Sequence, residues 1–406
     1  DEVVYFENSF LKFDRIFSTY IRFLPKSFFQ FINAMISWFS EKLYLENNIK
    51  KVLGWKKNIK IVSHHLSHAA SAFYPSPYDS AAIIIFDSVG EWACTSIGKG
   101  EKNQIKILKE IHFPNSLGMF YSAFTQFSGF RVNADEYKLM GLAPYGEPKY
   151  KEKILENIIK VNEDGSYKLN LKFFDFHHGN STINNKFEKF FGYNKRDANE
   201  EIREIDCDLA ASAQSVLDEI FIKIAKTAKK ITGSKNVVLA GGVALNCVSN
   251  GKLVESKIFE NVWIQPASND AGGALGAALS LSYLDSNGEL NKTSQEGSFF
   301  GPAFKDDEIE NYLKNIKINY KKLDEEKVLI NEITNSVIQE KVVAIFNGRM
   351  EFGPRALGSR SIIGDPRSIK MQKTMNLKIK YRESFRPFAP AVMEEHVNDY
   401  FKMDFG

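Results

Sequence analysis

The chain has 406 residues, 44% of them hydrophobic and 25% charged, the profile of a soluble globular protein with room for two or three domains. A net charge of +3 excludes a global electrostatic drive toward nucleic acid or an anionic membrane, so any phosphate recognition must come from local clusters. The three cysteines, Cys94, Cys207 and Cys247, are widely spaced, which excludes a C-x-x-C pair and a disulfide framework and suits a reducing cytoplasm.

Residues 1–53 are aromatic-rich and basic, with apolar positions at spacings of three and four through Phe28, Phe31, Ile32 and Ile36. This spacing predicts amphipathic helices packed on the main body. The alternative, attachment to a membrane surface, is disfavoured by the Asp and Glu residues that interrupt the basic face. No signal peptide is visible, and the run Phe31–Phe39 is too short and too polar to span a bilayer. Both ends read as cuts within a longer gene product.

A short strand, Ile59–Val62, leads into a helix predicted to start near Ser63. His64 and His68 lie four residues apart, a spacing that stacks two imidazoles on one helix face as two metal ligands require. His65 could stand in for either, and buried histidines that merely satisfy a hydrogen bond are the plainer alternative. The buried strand Ile83–Phe86 then ends in Asp87 and a turn at Gly90. Open α/β sheets hold their ligands at the carboxyl ends of strands. Two imidazoles and a carboxylate form an incomplete metal site, which calls for a fourth oxygen ligand or an open position.

Thr95–Gly100 and Gln104–Leu108 read as hairpin partners of the Asp87 strand in a mixed sheet. An aromatic helix should follow Gly118 and run to Phe130. Asp135, Glu136 and Lys138 precede a Gly/Pro-punctuated loop, either as a pocket wall or as the acidic first turn of a helix. Residues 147–200 read as a polar, irregular insertion or lid, in which His177 and His178 have no nearby ligand partners. A long helix over 206–232 is closed by lysines and Gly233. A strand ending at Ala240, the pair Gly241-Gly242 and a new helix follow, and the freed backbone amides suit a phosphate. A second strand–turn–helix unit carries Asp270, the candidate fourth ligand. Two such units in tandem suggest a nucleotide cleft between duplicated halves.

Residues 284–298 look like a domain boundary. Beyond it the pattern predicts helix 306–315, strand Ile316–Tyr320, helix 327–340 and strand Val342–Phe346. Glycine- and proline-framed loops then carry Arg349, Arg355, Arg360, Arg367, Lys380, Arg382 and Arg386, which suits polyphosphate or carboxylate recognition.

Taken together, the segments His64–Tyr74, Asp87–Thr95, Phe113–Gly118, Glu136–Gly146, Leu239–Asn250, Gln265–Ala277 and Arg349–Pro390 resemble the bacterial O-carbamoyltransferases of the nodulation-protein and antibiotic-tailoring family. The resemblance spans about Tyr5 to Phe401. It implies an α/β protein of two domains. Residues 1–290 would form a duplicated actin/sugar-kinase-like (ASKHA, RNase H-like) carbamoyl-transfer domain that lacks its N-terminal phosphate loop. Residues 291–406 would form a partial YrdC-like twisted α/β domain that makes carbamoyl-AMP and lacks its C-terminal part.

On the matching positions, the resemblance places the metal on His64, His68, Asp87 and Asp270, of which His64, His68 and Asp87 also carry the catalytic role. It places nucleotide contacts on Gly241, Gly242 and Asn246, and ATP and carbamoyl phosphate on Arg355, Lys380 and Arg386. The metal would be a divalent ion: iron, with zinc, magnesium and manganese also compatible with N/O ligands. The implied reaction is ATP-dependent activation of carbamoyl phosphate, then carbamoyl transfer to a hydroxyl of a sugar or natural product. The proton acceptor, among His65, Asp87 and a water, stays open, as does the acceptor molecule. The alternatives are an ATP-dependent phosphotransferase on the same fold, tRNA threonylcarbamoyl transfer, or a non-catalytic binding protein. The expected partner is a hydroxyl-bearing small molecule or glycan, with no nucleic acid and no membrane, in the cytoplasm; a homodimer is compatible.

Overall fold

A computed structural model describes residues 1–285 and 293–402. The chain divides into two compact units, Asp1–Gln295 and Glu296–Gly406. Residues 286–292 of the expected boundary segment lie outside the described residues.

The first unit opens with β1 (Val4–Tyr5), α1 (Ser9–Arg22), α2 (Phe28–Ser40), α3 (Leu45–Leu53) and β2 (Lys60–Ile61), which pairs in parallel with β1. The Asn8 side chain caps α1 by accepting from the Phe10 and Leu11 N–H groups. Phe13 packs edge-on against the buried Trp38 of α2, and the buried Arg15 guanidinium lies over the Phe113 ring, so α1 does pack on the body. Phe10, Phe29, Ile36 and Phe39 stay exposed. No helix among the described residues is long and apolar enough to cross a membrane.

Next come α4 (His64–Phe73), β3 (Ser80–Phe86), β4 (Ala93–Glu101), β5 (Gln104–His112), α5 (Leu117–Phe127) and α6 (Glu136–Leu142). After α7 (Lys151–Asn157), β6 (Ile159–Val161), β7 (Tyr167–Leu169) and α8 (Asn185–Phe191) comes the long α9 (Glu204–Thr232). The unit ends with β8 (Asn236–Ala240), α10 (Cys247–Glu255), β9 (Asn261–Ile264) and α11 (Asp270–Asp285).

Five strands form one mixed sheet in the order β5-β4-β3-β8-β9. Central β3 runs antiparallel to β4 and parallel to β8, and β8 runs parallel to β9. Helices cover both faces, which explains why β3 is a continuous apolar run. Ile83 and Ile85 face Ala69, Ala72 and Phe73 of α4, whereas Phe86 stacks on Phe221 of α9 with ring centroids 4.1 Å apart. The α9 stop is as expected, with Gly233 at φ 64°.

Three sequence expectations are corrected here. The tandem strand–turn–helix units are not the seeds of two duplicated halves: β8 and β9 are adjacent in one sheet, and the described residues hold a single five-stranded sheet. Residues 147–200 are not an irregular lid. Ile154, Phe173, Phe174, Phe187 and Phe191 are buried, and Phe187 packs against Phe124 and Phe127 of α5. The apolar anchors are sparse among Lys and Asn, so periodicity hides them. The aromatic helix ends at Phe127 rather than Phe130.

Glu136 opens α6 with Asp135 directly before it, the acidic helix start that is one of the two expectations. Glu136 accepts from the Ser122 hydroxyl at 2.6 Å and the Asn133 N–H at 2.8 Å, and Lys138 pairs with Asp135 at 3.2 Å.

The second unit contains α12 (Asp306–Asn315), α13 (Glu326–Ile338), an antiparallel pair β10 (Val343–Phe346) and β11 (Arg360–Ile363), and α14 (Met371–Thr374). The strand expected at 316–320 does not form. A strand is held by ladder hydrogen bonds, and no neighbour pairs with this stretch among the described residues.

Candidate metal centre

His64 and His68 lie one turn apart in α4, Asp87 directly follows β3, and Asp270 is the first residue of α11. The packing of α4 on β3 and of α11 on α4 brings one donor atom from each of the four within 4.8 Å of the others. His64 Nε2 lies 3.1 Å from His68 Nε2 and 3.1 Å from Asp87 Oδ2. Asp270 Oδ1 is 3.6 Å from both Nε2 atoms, and His68 Nε2 is 3.9 Å from Asp87 Oδ2. Ligands about 2.0–2.2 Å from a common cation and separated by 90–110° stand about 3.0–3.5 Å from one another. The cluster is close to that spacing, and its two carboxylates supply the charge that balances a divalent ion. The donor set fits a metal.

The surroundings fix these side chains. Asp87 Oδ1 accepts from the Gly242 N–H at 3.4 Å, so the Gly-Gly turn holds one carboxylate oxygen while the other faces the histidines. Gly241 has φ 91°, and any side chain there would collide with the Phe86 carbonyl. Gly276 lets α11 approach α4 so closely that a Cβ would collide with the Ser67 carbonyl. A Cβ at Gly90 would stand 3.1 Å from carbon atoms of both His64 and His65.

Two acidic residues that sequence reasoning overlooked support α4. Glu91 is buried and accepts from the His64 N–H at 2.9 and 3.0 Å, and from the Asn8 N–H at 2.8 Å. A carboxylate at a helix N-terminus answers both the unpaired amides and the macrodipole. Glu7 Oε2 lies 3.7 Å from His64 Nδ1, which otherwise has no hydrogen-bond partner, and is itself anchored by Lys12 at 2.7 Å. Metal-binding imidazoles commonly direct their second nitrogen at such a carboxylate. The position of Glu91 four residues after Asp87 was the only sequence-level hint.

Electrostatics separate the histidines. Burial alone would raise the Asp87 carboxyl, but the His64 hydrogen bond and the neighbouring imidazoles hold it far below the usual carboxylate range. Burial lowers His64, and the hydrogen bond and charge of Asp87 outweigh it, so His64 is raised. Asp270 is lowered, chiefly by its hydrogen bond with His68. His65 stands apart: its Nδ1 meets Ser96 Oγ at 2.6 Å, and burial pushes it down to about 3. His177 and His178 lie elsewhere, packed around Phe23.

Asn246 is buried; its carbonyl oxygen caps α10 by accepting from the Ser249 N–H at 3.0 Å, and its amide donates to Gln214 at 2.9 Å. In the second unit most of the arginines are engaged by their own framework. Arg360 donates to the carbonyls of Asn347, Gly348 and Pro302 and lies over the Phe346 ring. Arg367 pairs with Asp365, Arg382 donates to Asn376 Oδ1, and the buried Arg386 meets Glu383 at 3.5 Å. Glu351 gathers the N–H groups of Leu357, Ser359 and Arg360, which holds its carboxyl down at about 2 and folds the loop that carries Arg355. Lys380 is exposed, and its side chain has no ion pair among the described residues.

Residues 1–279 match the family model described as carbamoyltransferase N-terminus, and residues 334–405 match the carbamoyltransferase C-terminus. The chain belongs to the carbamoyltransferase family. It is 48% identical to the uncharacterized protein sll1178 of Synechocystis sp., covering the whole of this chain and 68% of that protein. It is 35% identical to nodulation protein NolNO of Sinorhizobium fredii, over 85% of this chain and 49% of the relative. Nodulation protein NolO of Bradyrhizobium diazoefficiens is 32% identical, over 85% of this chain and 61% of that relative. The chain thus spans about half to two thirds of the length of these relatives.

Proposed function

We propose that this carbamoyltransferase-family chain performs metal-assisted O-carbamoyl transfer, with carbamoyl-AMP as donor and a hydroxyl of a sugar or natural product as acceptor. The observation that carries the reading is the convergence of His64, His68, Asp87 and Asp270 in a member of this family. The strand order, with its antiparallel β5-β4-β3 meander continued by parallel β8 and β9, supports reading the first unit as one RNase H-like half of an ASKHA-type domain. The second unit is assigned the activation step. There, carbamoyl phosphate, water and ATP give carbamoyl-AMP with release of phosphate and pyrophosphate, and Arg355 and Lys380 supply positive charge for the polyphosphate.

In the transfer step the acceptor hydroxyl oxygen forms a bond to the carbamoyl carbon. The carbon–oxygen bond to the adenylate phosphate breaks, AMP leaves with the electron pair, and the hydroxyl proton is released to water. A divalent ion held by the four residues would supply Lewis-acid stabilisation of the charge that develops. The chain's own groups set the geometry: Gly242 orients Asp87, Glu91 fixes the start of α4, and the close α4–α11 contact places Asp270. His65, with its imidazole pushed to about 3, is a poor proton acceptor near neutral pH.

The test supplies the chain with carbamoyl phosphate, ATP and Fe2+, follows pyrophosphate release, and weighs candidate acceptors by mass spectrometry. His64→Ala with His68→Ala should lower carbamoyl transfer by about 100-fold or more and abolish metal uptake, while pyrophosphate release survives. Wild-type transfer by the double variant would rule out the assigned role of the cluster.

A further inference from the structure

A cleft of about 770 Å³ opens in the first unit, connected to the candidate metal centre through the loop that follows Asp87. One loop serves both. Asp87 stands at its start, Gly90 packs on His64, and Trp92 at its end lines the cleft, with the Phe113 N–H donating to the Trp92 carbonyl at 2.8 Å.

The charge of the cleft is out of proportion to that of the chain. Arg22, Lys160, Lys168 and Lys172 line it with Glu156 as the single acid, a net +3 that equals the net charge of all 406 residues. Lys160 and Lys168 are register partners on β6 and β7, directly opposite each other. Like charges so placed destabilise a strand pair. Neither they nor Arg22 form an ion pair among the described residues. Both lysines are exposed, and a cross-strand lysine pair without a counter-ion along the wall of a cleft is a site that an anion would stabilise.

The remaining walls select what carries that anion. Three aromatic rings are held in place before any ligand arrives. Trp92 Nε1 donates to Asp14 at 3.3 Å, Phe23 packs on His177 with centroids 4.3 Å apart, and Phe113 lies against Arg15. Rings fixed in this way offer flat apolar contact at little entropic cost. Asn115 uses its carbonyl to accept from the Leu169 N–H, which leaves its amide N–H groups available to a hydroxyl.

We infer that this cleft binds an anionic saccharide, a sugar ring bearing a phosphate or carboxylate, as the carbamoyl acceptor. The inference rests on the carbamoyl-transfer reading for its chemistry but not for its binding. The cations hold the anionic substituent, and the aromatic rings take the faces of the sugar.

The test is calorimetry and tryptophan fluorescence on the intact chain with four probes: glucose 6-phosphate, glucuronate, glucose and inorganic phosphate. At least one anionic sugar should bind tenfold or more tighter than both glucose and phosphate. The arm that wins distinguishes phosphate from carboxylate. Lys160→Gln with Lys168→Gln should weaken that probe tenfold or more, leave metal titration unchanged, and raise the melting temperature of the free protein as the like-charge pair is removed. Trp92→Phe should weaken the sugar probes but not phosphate. Equal binding of glucose and its phosphate, equal binding of phosphate and sugar phosphate, an unaffected lysine variant, or no binding by any probe at millimolar concentration would each overturn the inference. Intact probe binding without carbamoyl transfer would count against the function proposed above and leave the cleft standing. Transfer with no probe binding would do the reverse.

Discussion

Replacing Gly276 with alanine should weaken metal binding although the residue touches no ligand. Glycine to alanine inside a helix ordinarily stabilises by about 1 kcal/mol, because alanine restricts the unfolded chain. At Gly276 the added methyl would collide with the Ser67 carbonyl and stand 2.8 Å from the Ser71 amide nitrogen, both backbone atoms of α4. Neither can rotate away, so α11 has to retreat from α4 by on the order of 1 Å, an overpacking that costs about 1–3 kcal/mol and reverses the usual sign. Asp270 travels with α11 while His64 and His68 stay on α4, so the 3.6 Å separations from Asp270 Oδ1 to the two imidazoles widen. Loosening one of four ligands through its support should lower affinity about 10–100-fold. Gly251→Ala in α10 is the control, since nothing lies within 4 Å of its added methyl. Anaerobic Fe2+ and aerobic Mn2+ titrations by calorimetry, with thermal melts of both variants, provide the measurement. If Gly276→Ala binds metal within threefold of wild type and melts as high as Gly251→Ala, the close helix contact does not position Asp270.

Metal affinity should fall with acid earlier than an unperturbed histidine would dictate. His64 is raised, and an imidazole must lose its proton to coordinate, so binding weakens as pH drops toward and through 6.5. Mn2+ titrations at pH 8, 7 and 6 check this, and a flat response would contradict it. A separate effect concerns folding. Burial and the neighbouring His178 push His177 down to about 4 from 6.5, so the unfolded chain binds the extra proton between those values. Stability is full above pH 6.5 and lost as pH falls toward 4, by up to about 3 kcal/mol from this group. Melts of wild type and His177→Phe across that window should converge on the side of the variant as acid is added; parallel curves would refute it.

The sequence by itself determined much of this protein. The spacing of His64 and His68, the apolar run that stops at Asp87, and the lysines and Gly233 that end α9 are local patterns with local physical causes, and each element forms where it was expected. Asp270 could be proposed as a fourth ligand because an acid at a strand–helix junction points into the same edge of a sheet. The arginine-rich stretch was legible as charge but not as geometry. Rigid glycine and proline framing proved to be what Arg360 itself hydrogen-bonds, a use of guanidinium that composition does not separate from ligand binding.

Only the tertiary structure decided which of these pieces meet. The two strand–turn–helix units became neighbours in one sheet because hydrogen-bond register, which single-sequence pattern does not encode, paired β8 with both β3 and β9. Phe187 and Phe191 became core because they meet Phe124 and Phe127 of α5, far away in the chain, and Phe174 packs on Phe187 in turn. Glu91 and Gly276 acquired their importance solely from what packs against them. A ligand's identity is written in its own side chain, but its position is set by non-local contacts, and those depend on the whole fold.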